Sequence, residues 1–547
     1  MKIVIPMSGR GQRFISAGYT VPKPMIIVDG KPIIAHVVDM FSQEDTFIFI
    51  CAKDHLSVTN MRQTLMGLAP NVEIVEIEPH KFGPIYAVKQ AFHLIEDTEE
   101  VIINYCDFGS YWDYSDFLKH TRLRNADGAI PAYRGFHPHM LGTTNYAFMR
   151  ENEQWMLEIQ EKKPFTNNRM NEYASSGTYY FKTGAILKTY LDLTMDKHLD
   201  VNGEFYVSVV YNLLVEEGLS VSIYEIQHML QWGTPEDLAD YNYHSNYFKK
   251  LMSHKNILAP VPGTINLIPL AGEGSRFKNE GYEMPKPLIE VSGKKMIVQA
   301  FDAYPVPDKA HFIVLDSHCR TFGIDTILRD AYPGCNVIKL DYVTEGQAIT
   351  ASLGVAEEDL DKPLLIAACD NGLLIDGEAY TKCLTESDVD VVCLTFRNNP
   401  TVGANPKGYG YVKIGLDNTI LGVSVKEPIS EKPMNDHAIV GAFYFKKARA
   451  FMAGVAYLKE NECRINGEFY IDSIIGILDA LHLKGCVFEC DYESWGTPND
   501  YKTYVYWQSF FHKAAFHPYS IKMDPMFPED QRAIWIERAK SFKQEHR

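Results

Sequence analysis

The chain reads as an α/β protein made twice over: a mixed, mostly parallel sheet covered by helices on both faces, then a second of the same kind. Three observations predict this. Short apolar runs alternate with amphipathic helical patterns through each half, as in sheets whose strands are joined by crossover helices. A set of glycine and polar motifs recurs at a near-constant offset. The 547 residues, 46% of them apolar, suffice for two separate cores.

The first-half strands are expected at Ile3–Pro6, Phe47–Cys51, Val72–Ile77, Val101–Tyr105, Gly128–Pro131 and Thr178–Phe181. Their second-half counterparts are Ile265–Pro269, Phe312–Leu315, Val337–Leu340, Leu364–Ala368, Val389–Leu394 and Ala442–Phe445. Helical patterns such as Ile33–Phe41 and Ile85–Ile95 lie between the early strands. The repeat sets the domain boundaries: 1–245, a linker 246–263 ending in Ala259-Pro-Val-Pro-Gly263, a second domain 264–505, and a tail 506–547. The tail has two helix-like stretches broken by Pro518, Pro525 and Pro528.

A net charge of −17 argues against a nucleic-acid surface, which needs a basic field. The ten cysteines are scattered without paired spacing and read as reduced core thiols. The N-terminus enters a strand with no leader before it, and no apolar run is long enough for a membrane span, so a cytoplasmic location is expected. His137 and His139 have no further ligand partners in sequence and read as structural.

The repeated motifs carry the chemistry. Gly9-x-Gly11-x-Arg13-Phe14 follows the first strand and returns as Gly272-x-Gly274-x-Arg276-Phe277. Glycine lets backbone approach a phosphate, and arginine grips phosphate oxygens in pairs. A lone loop of this kind serves equally as an ordinary turn. Pro22-Lys23-Pro24 and Pro285-Lys286-Pro287 hold a lysine on backbone stiffened by two prolines. Recurring at one distance after the same loop, they favour an anion site over a solvated surface turn.

Asp107 and Asp370 each end an apolar run, where an acid is costly unless paired or metal-bound; the alternative is a capping aspartate. Gly83 and Gly346 open helices and could set backbone against a base, or be plain loop glycines. Lys162 and Lys426 recur 264 residues apart and suggest a second anion. Glu204 and Glu468, in Asn-Gly-Glu-Phe-Tyr, suit hydroxyl binding or a cap.

Taken in order, these residues resemble the sugar-1-phosphate nucleotidyltransferases, the nucleotide-sugar pyrophosphorylases. Their signature is Gly-x-Gly-x-Arg-[Leu/Phe], then Pro-Lys-Pro, a strand-end Asp, a Glu-Lys pair and a late Gly-Thr-Pro turn. Both halves match it, through Glu161-Lys162 and Trp232-Gly-Thr-Pro235 in the first and Lys426 and Trp495-Gly-Thr-Pro498 in the second. The resemblance implies a Rossmann-like, glycosyltransferase-A-type sheet in each half, present as a tandem duplication.

It implies that Arg13, Lys23, Arg276 and Lys286 bind the triphosphate as catalytic groups and that Gly9, Gly11, Gly83, Gly272, Gly274 and Gly346 pack the nucleotide. Glu161, Lys162, Lys426, Glu204 and Glu468 would take the sugar phosphate, and Asp107 and Asp370 would hold Mg²⁺. The implied reaction joins a nucleoside triphosphate to a sugar-1-phosphate or polyol phosphate, giving an NDP- or CDP-activated product for surface polysaccharide synthesis. A homo-oligomer is compatible with the resemblance.

The sequence departs from the signature in places. Gln231 and Ser494 stand where many members carry a second metal-binding Asp, Val425 stands opposite Glu161, and Asn145-Tyr-Ala147 faces Gly408-Tyr-Gly410. Two other readings share the sheet: a glycosyltransferase, which would want an Asp-x-Asp motif absent here, and one catalytic half beside a nucleotide-binding scaffold.

Overall fold

The computed structural model describes residues 1–254, 258–386 and 388–540. Residues 255–257 of the expected linker and 541–547 of the expected tail lie outside them. The described residues form two units, Met1–Asn242 and Tyr243–Lys540.

In the first unit the strand Lys2–Met7 is flanked in parallel by Thr46–Ala52 and by Val101–Asn104, and Val72–Ile77 extends the row. Ile3, Val4 and Ile5 are wholly buried, which fits a central strand covered on both faces. Thr178–Phe181 then enters antiparallel between Val101–Asn104 and Gly128–Tyr133. Beyond these, Val221–Glu225, Trp155–Glu161, Ala147–Asn152 and Tyr173–Ser175 complete ten strands.

The second unit runs Asn336–Leu340, Lys309–Leu315, Ile265–Leu270, Leu364–Ile366, His437–Phe445, Val391–Phe396 and Gly485–Glu489, matching the first strand for strand over seven positions. A hairpin of Gly410–Ile414 and Ile420–Val425 pairs onto His437–Phe445. Alternate residues of Ile265–Leu270 enter different cores, Ile265 and Leu267 one, Ile268 and Leu270 the other, so this sheet buries both faces.

The sheets are mixed, as expected, but parallel pairings are not in the majority. Among the described residues, the large sheet of the first unit has four parallel pairings and six antiparallel. That of the second has four of each. Apolar runs report burial on two faces but not strand direction, and the late hairpins supply the antiparallel pairs.

The strand expected at Leu364–Ala368 stops at Ile366, and the helix expected over Ile85–Ile95 divides into Pro84–Lys89 and a short turn Phe92–Leu94. The segment 246–253 of the expected linker is helical, as the end of the helix Pro235–Ser253. Pro498–Lys513 and Arg532–Lys540 are the helices near and in the tail. Between them Tyr519, Ile521 and Phe527 are buried, and Met526 accepts a hydrogen bond through its carbonyl from Gln299. None of the ten cysteines is in a disulfide. Among the described residues no helix is long and apolar enough to cross a membrane.

Candidate active site

Each unit builds its site where the parallel strands end. In the first, Gly11 starts the short helix Gln12–Ser16 from a left-handed conformation, φ 63°, and Gly274 does the same at φ 64° before Ser275–Asn279. A side chain there would be strained, and the Lys23 and Lys286 Cβ atoms lie at 3.7 and 3.4 Å from where its Cβ would fall. The glycine loop and the proline-braced lysine are thus packed together from the start.

The lysine then meets the strand-end acid. Lys23 Nζ lies 2.5 Å from Asp107 Oδ2, and Lys286 Nζ lies 2.6 Å from Asp370 Oδ2. Burial acts to lower each lysine, but Asp107 and Asp370 outweigh it and hold both ammonium groups above their ordinary range. Both lysines are therefore cations at neutral pH. Each aspartate is fixed from behind, since its carbonyl accepts the backbone N–H of Trp232 (3.0 Å) or Trp495 (2.8 Å) from the Trp-Gly-Thr-Pro motif.

Lys23 and Asp107 line two cavities in the first unit. One, of about 420 Å³, also presents Arg13, Tyr146, Glu161 and Lys162. The other, of about 240 Å³, presents Gly9, His80, Lys81, Gly83 and Glu204. In the second unit Lys286 and Asp370 line a cavity of about 220 Å³ with Gly272, Gly274, Gly346, Thr350 and Glu468. Arg276 and Lys426 are not among its walls; the Arg276 charge nevertheless acts on Lys286. The Arg13 and Arg276 side chains are exposed, and among the described residues neither guanidinium is in an ion pair.

The glycines opening the next helices have a steric cause. A Cβ on Gly83 would come 2.6 Å from Phe205 N, and one on Gly346 equally close to Phe469 N, both at positive φ. Phe205 N–H donates to the Phe82 carbonyl and Phe469 N–H to that of Glu345, so each Asn-Gly-Glu-Phe-Tyr segment is stitched to its loop. That stitching carries Glu204 and Glu468 to the cavity holding Gly9 or Gly272, rather than to the Lys162 side alone.

Tyr206 and Tyr470 bridge the two sides. Lys162 donates to Tyr206 Oη at 2.6 Å, and Tyr206 in turn donates to Glu204. Lys426 donates to Tyr470 Oη at 2.8 Å, and Tyr470 bonds Glu468. Both lysines sit at φ 59°, with backbone N–H groups on the carbonyls of Tyr146 and Tyr409.

Glu161, one residue before Lys162, accepts from Ser208 at 2.6 Å. Burial raises its carboxyl, opposed by Ser208 and Lys162.

Sequence reasoning missed several residues here. Tyr206 and Tyr470 stood in the quoted motif, and their recurrence was the available signal. Ser8 and His80, 3.1 Å apart, gave none, because Ala271 and Val343 occupy the matching positions. Asp237 and Asp500 open the helices after Gly-Thr-Pro. Thr234 donates to Asp237 at 2.8 Å and Ser494 to Asp500 at 2.9 Å. Burial pushes Asp237 up to about 7 and raises Asp500, which also feels Asp370.

The donor set near Asp107 and Asp370 is sparse. Among the described residues no three acids, histidines or cysteines converge as a metal cluster. Space is kept beside each carboxylate, however: a Cβ on Gly233 would fall 2.9 Å from Asp107 Oδ2, and one on Gly496 3.0 Å from Asp370 Oδ2. One carboxylate with open room fits Mg²⁺, which commonly takes one or two protein carboxylates and fills its shell with substrate oxygens and water.

Residues 3–170 match the MobA-like NTP transferase domain. The matched span holds the glycine loop, Lys23, Asp107 and Lys162. The chain is also 25% identical over 227 residues to the bifunctional protein GlmU of Bacillus cereus and, to the same degree, of Bacillus anthracis. That stretch covers 41% of this chain and 47% of either relative, so the chain spans about half the length of the curated relatives it matches.

Among solved structures, a nucleoside-diphosphate-sugar pyrophosphorylase from Vibrio cholerae aligns at 22% identity and TM-score 0.38, covering 44% of this chain and 98% of that one. A UDP-glucose pyrophosphorylase from Acinetobacter baumanii aligns at 17% identity and TM-score 0.37, covering 46% and 98%.

Proposed function

We propose that the protein is a sugar-phosphate nucleotidyltransferase with a working cleft in each of two duplicated, Rossmann-like domains. The observation that carries this reading is the lysine–aspartate pair, at 2.5 and 2.6 Å, set against a left-handed glycine loop in both units. The NTP-transferase match over residues 3–170 supports it for the first unit.

The chemistry follows from charge. A phosphate oxygen of the sugar or polyol phosphate forms a bond to the α-phosphorus of a nucleoside triphosphate. The bond from that phosphorus to the bridging oxygen breaks, and pyrophosphate leaves with the electron pair. The attacking oxygen is already anionic at neutral pH, so no general base is needed. The protein's task is to bring two polyanions together and to stabilise charge moving onto pyrophosphate.

Lys23 and Lys286 face the α-phosphate, with Arg13 and Arg276 on the leaving phosphates. Gly9 and Gly11, with Gly272 and Gly274, give backbone room for the triphosphate, and Gly83 and Gly346 bound the base. Lys162 and Lys426 hold the second substrate's phosphate, with Glu161, Glu204 and Glu468 directed to hydroxyls. Asp107 and Asp370 would hold Mg²⁺, which when bound neutralises phosphate charge. The product would be an activated sugar or alcohol of the kind used in surface polysaccharide synthesis.

A pyrophosphate-release screen of four triphosphates against sugar and polyol phosphates tests the reading. Release that depends on Lys23 or Lys286 supports it; release of nucleoside diphosphate from nucleotide sugars, or release indifferent to both lysines, refutes it.

A further inference from the structure

The second unit lacks an acid where Glu161 stands in the first, but the structure supplies one from elsewhere. Glu161 ends a strand and pairs across the ladder with Ala147; in the second unit the corresponding ladder pair is Val425 with Gly410. The Glu161 carboxylate reaches the Ser208 hydroxyl, two residues after Tyr206. Two residues after Tyr470 stands Asp472. Its Oδ2 lies 2.4 Å from the position a Cβ on Gly410 would take, so the carboxyl occupies the space over the Gly410–Val425 pair that an alanine would fill.

Three positions have therefore changed together: Ala147, Glu161 and Ser208 in one unit, Gly410, Val425 and Asp472 in the other. The acid stands on a helix instead of a strand, over the ladder pair that precedes the lysine. Burial pushes the Asp472 carboxyl up to about 6, opposed by a backbone hydrogen bond and then by the Lys426 charge, as Lys162 opposes the burial of Glu161.

We propose that Asp472 is the second unit's hydroxyl-binding carboxyl for the sugar or polyol phosphate held by Lys426, and that Gly410 is small to admit it. This rests on the transferase reading above. A half-buried carboxyl within electrostatic reach of a cation that takes the phosphate discriminates a polyhydroxy phosphate from bare phosphate. Asp472 would contact substrate hydroxyls and Lys426 the phosphate, so their loss should have different signatures.

The test uses the full chain with Lys23→Ala silencing the first unit. Pyrophosphate release is measured with glucose 1-phosphate, N-acetylglucosamine 1-phosphate and glycerol 3-phosphate, with inorganic phosphate as competitor. Asp472→Asn should raise KM for the preferred phosphate about tenfold, leaving KM for the triphosphate and the inhibition constant of inorganic phosphate in place. Lys426→Ala should weaken both the substrate and inorganic phosphate.

Gly410→Ala with Val425→Glu and Asp472→Ser, which moves the acid back to the strand, should recover most of the lost affinity. An unchanged KM in Asp472→Asn overturns the proposal, as does an equal loss of inorganic phosphate affinity. Should Asp472→Asn be inactive outright, the triple variant decides: recovery supports the proposal, inactivity overturns it. If the Lys23→Ala protein releases no pyrophosphate with any of the three phosphates, the transferase reading of this unit fails, and the Asp472 assignment with it.

Discussion

The two clefts agree at the lysine–aspartate pair and differ in the residues around it. Lys23 with Asp107 and Lys286 with Asp370 are superimposable in distance, in bracing and in their tie to a buried tryptophan. Around them, Ser8, His80, Pro84 and Ala87 in the first unit give way to Ala271, Val343, Gln347 and Thr350 in the second. The acid beside the outer lysine changes chain position altogether. Two units of like strand order thus share a lysine–aspartate pair and differ around it, which points under the proposed reading to two different substrate pairs.

The largest expected effect breaks the comparison at its shared centre. Lys23→Ala should remove the first unit's turnover and Lys286→Ala the second's, each by about a hundredfold or more in kcat. The double variant should be silent in a pyrophosphate-release assay. Residual activity in the double variant equal to either single one would end the idea of twin clefts.

Next in size is the glycine that lets the recognition loop approach the Asn-Gly-Glu-Phe-Tyr segment. Gly83→Ala and Gly346→Ala should each destabilise their unit by about 2–4 kcal/mol, from positive φ and overlap with Phe205 or Phe469. Denaturant unfolding would show it, and a shift below experimental error would mean the loop does not need that approach.

Asymmetry should appear at the acid. Glu161→Gln should raise the phosphate-substrate KM of the first unit about tenfold. Val425→Ala, at the matching position of the second, should leave its KM within about twofold, because no hydrogen bond is lost there. Equal effects at both positions would erase the difference drawn between the units.

A separate test of the first unit concerns pH. Asp237 titrates near 7 in the folded protein and at 3.8 as a free side chain. Between those values the folded chain holds a proton that the unfolded chain has released, so stability falls as pH rises from about 4 to 7 and levels off above. Asp237→Asn should flatten that slope and melt higher than the parent at pH 8. An identical pH profile in thermal melts would mean the carboxyl is ionised in the fold.

Much of this was legible in the chain. All twelve strands expected from apolar runs are present within a few residues; central ones such as Lys2–Met7 are covered on both faces and so read as continuously apolar. The repeat singled out Gly11, Lys23, Asp107 and their counterparts, which the structure brings together in each unit. The linker was misjudged at 246–253 because Tyr247, Phe248 and Leu251 are buried there as part of a helix, and aromatic–polar composition alone does not show which face is covered.

By itself the sequence determined the strands, the duplicated motifs and the residue types that can meet phosphate, all properties local in the chain or fixed by its internal period. Only the tertiary structure decided strand direction, the joining of Glu204 to Tyr206 and Lys162, and the placing of Asp472 over Gly410. Those depend on contacts between segments far apart in sequence, where a carboxyl can reach one point in space from either a strand or a helix. An offset of 263 or 264 residues compares positions, whereas chemistry depends on where atoms meet.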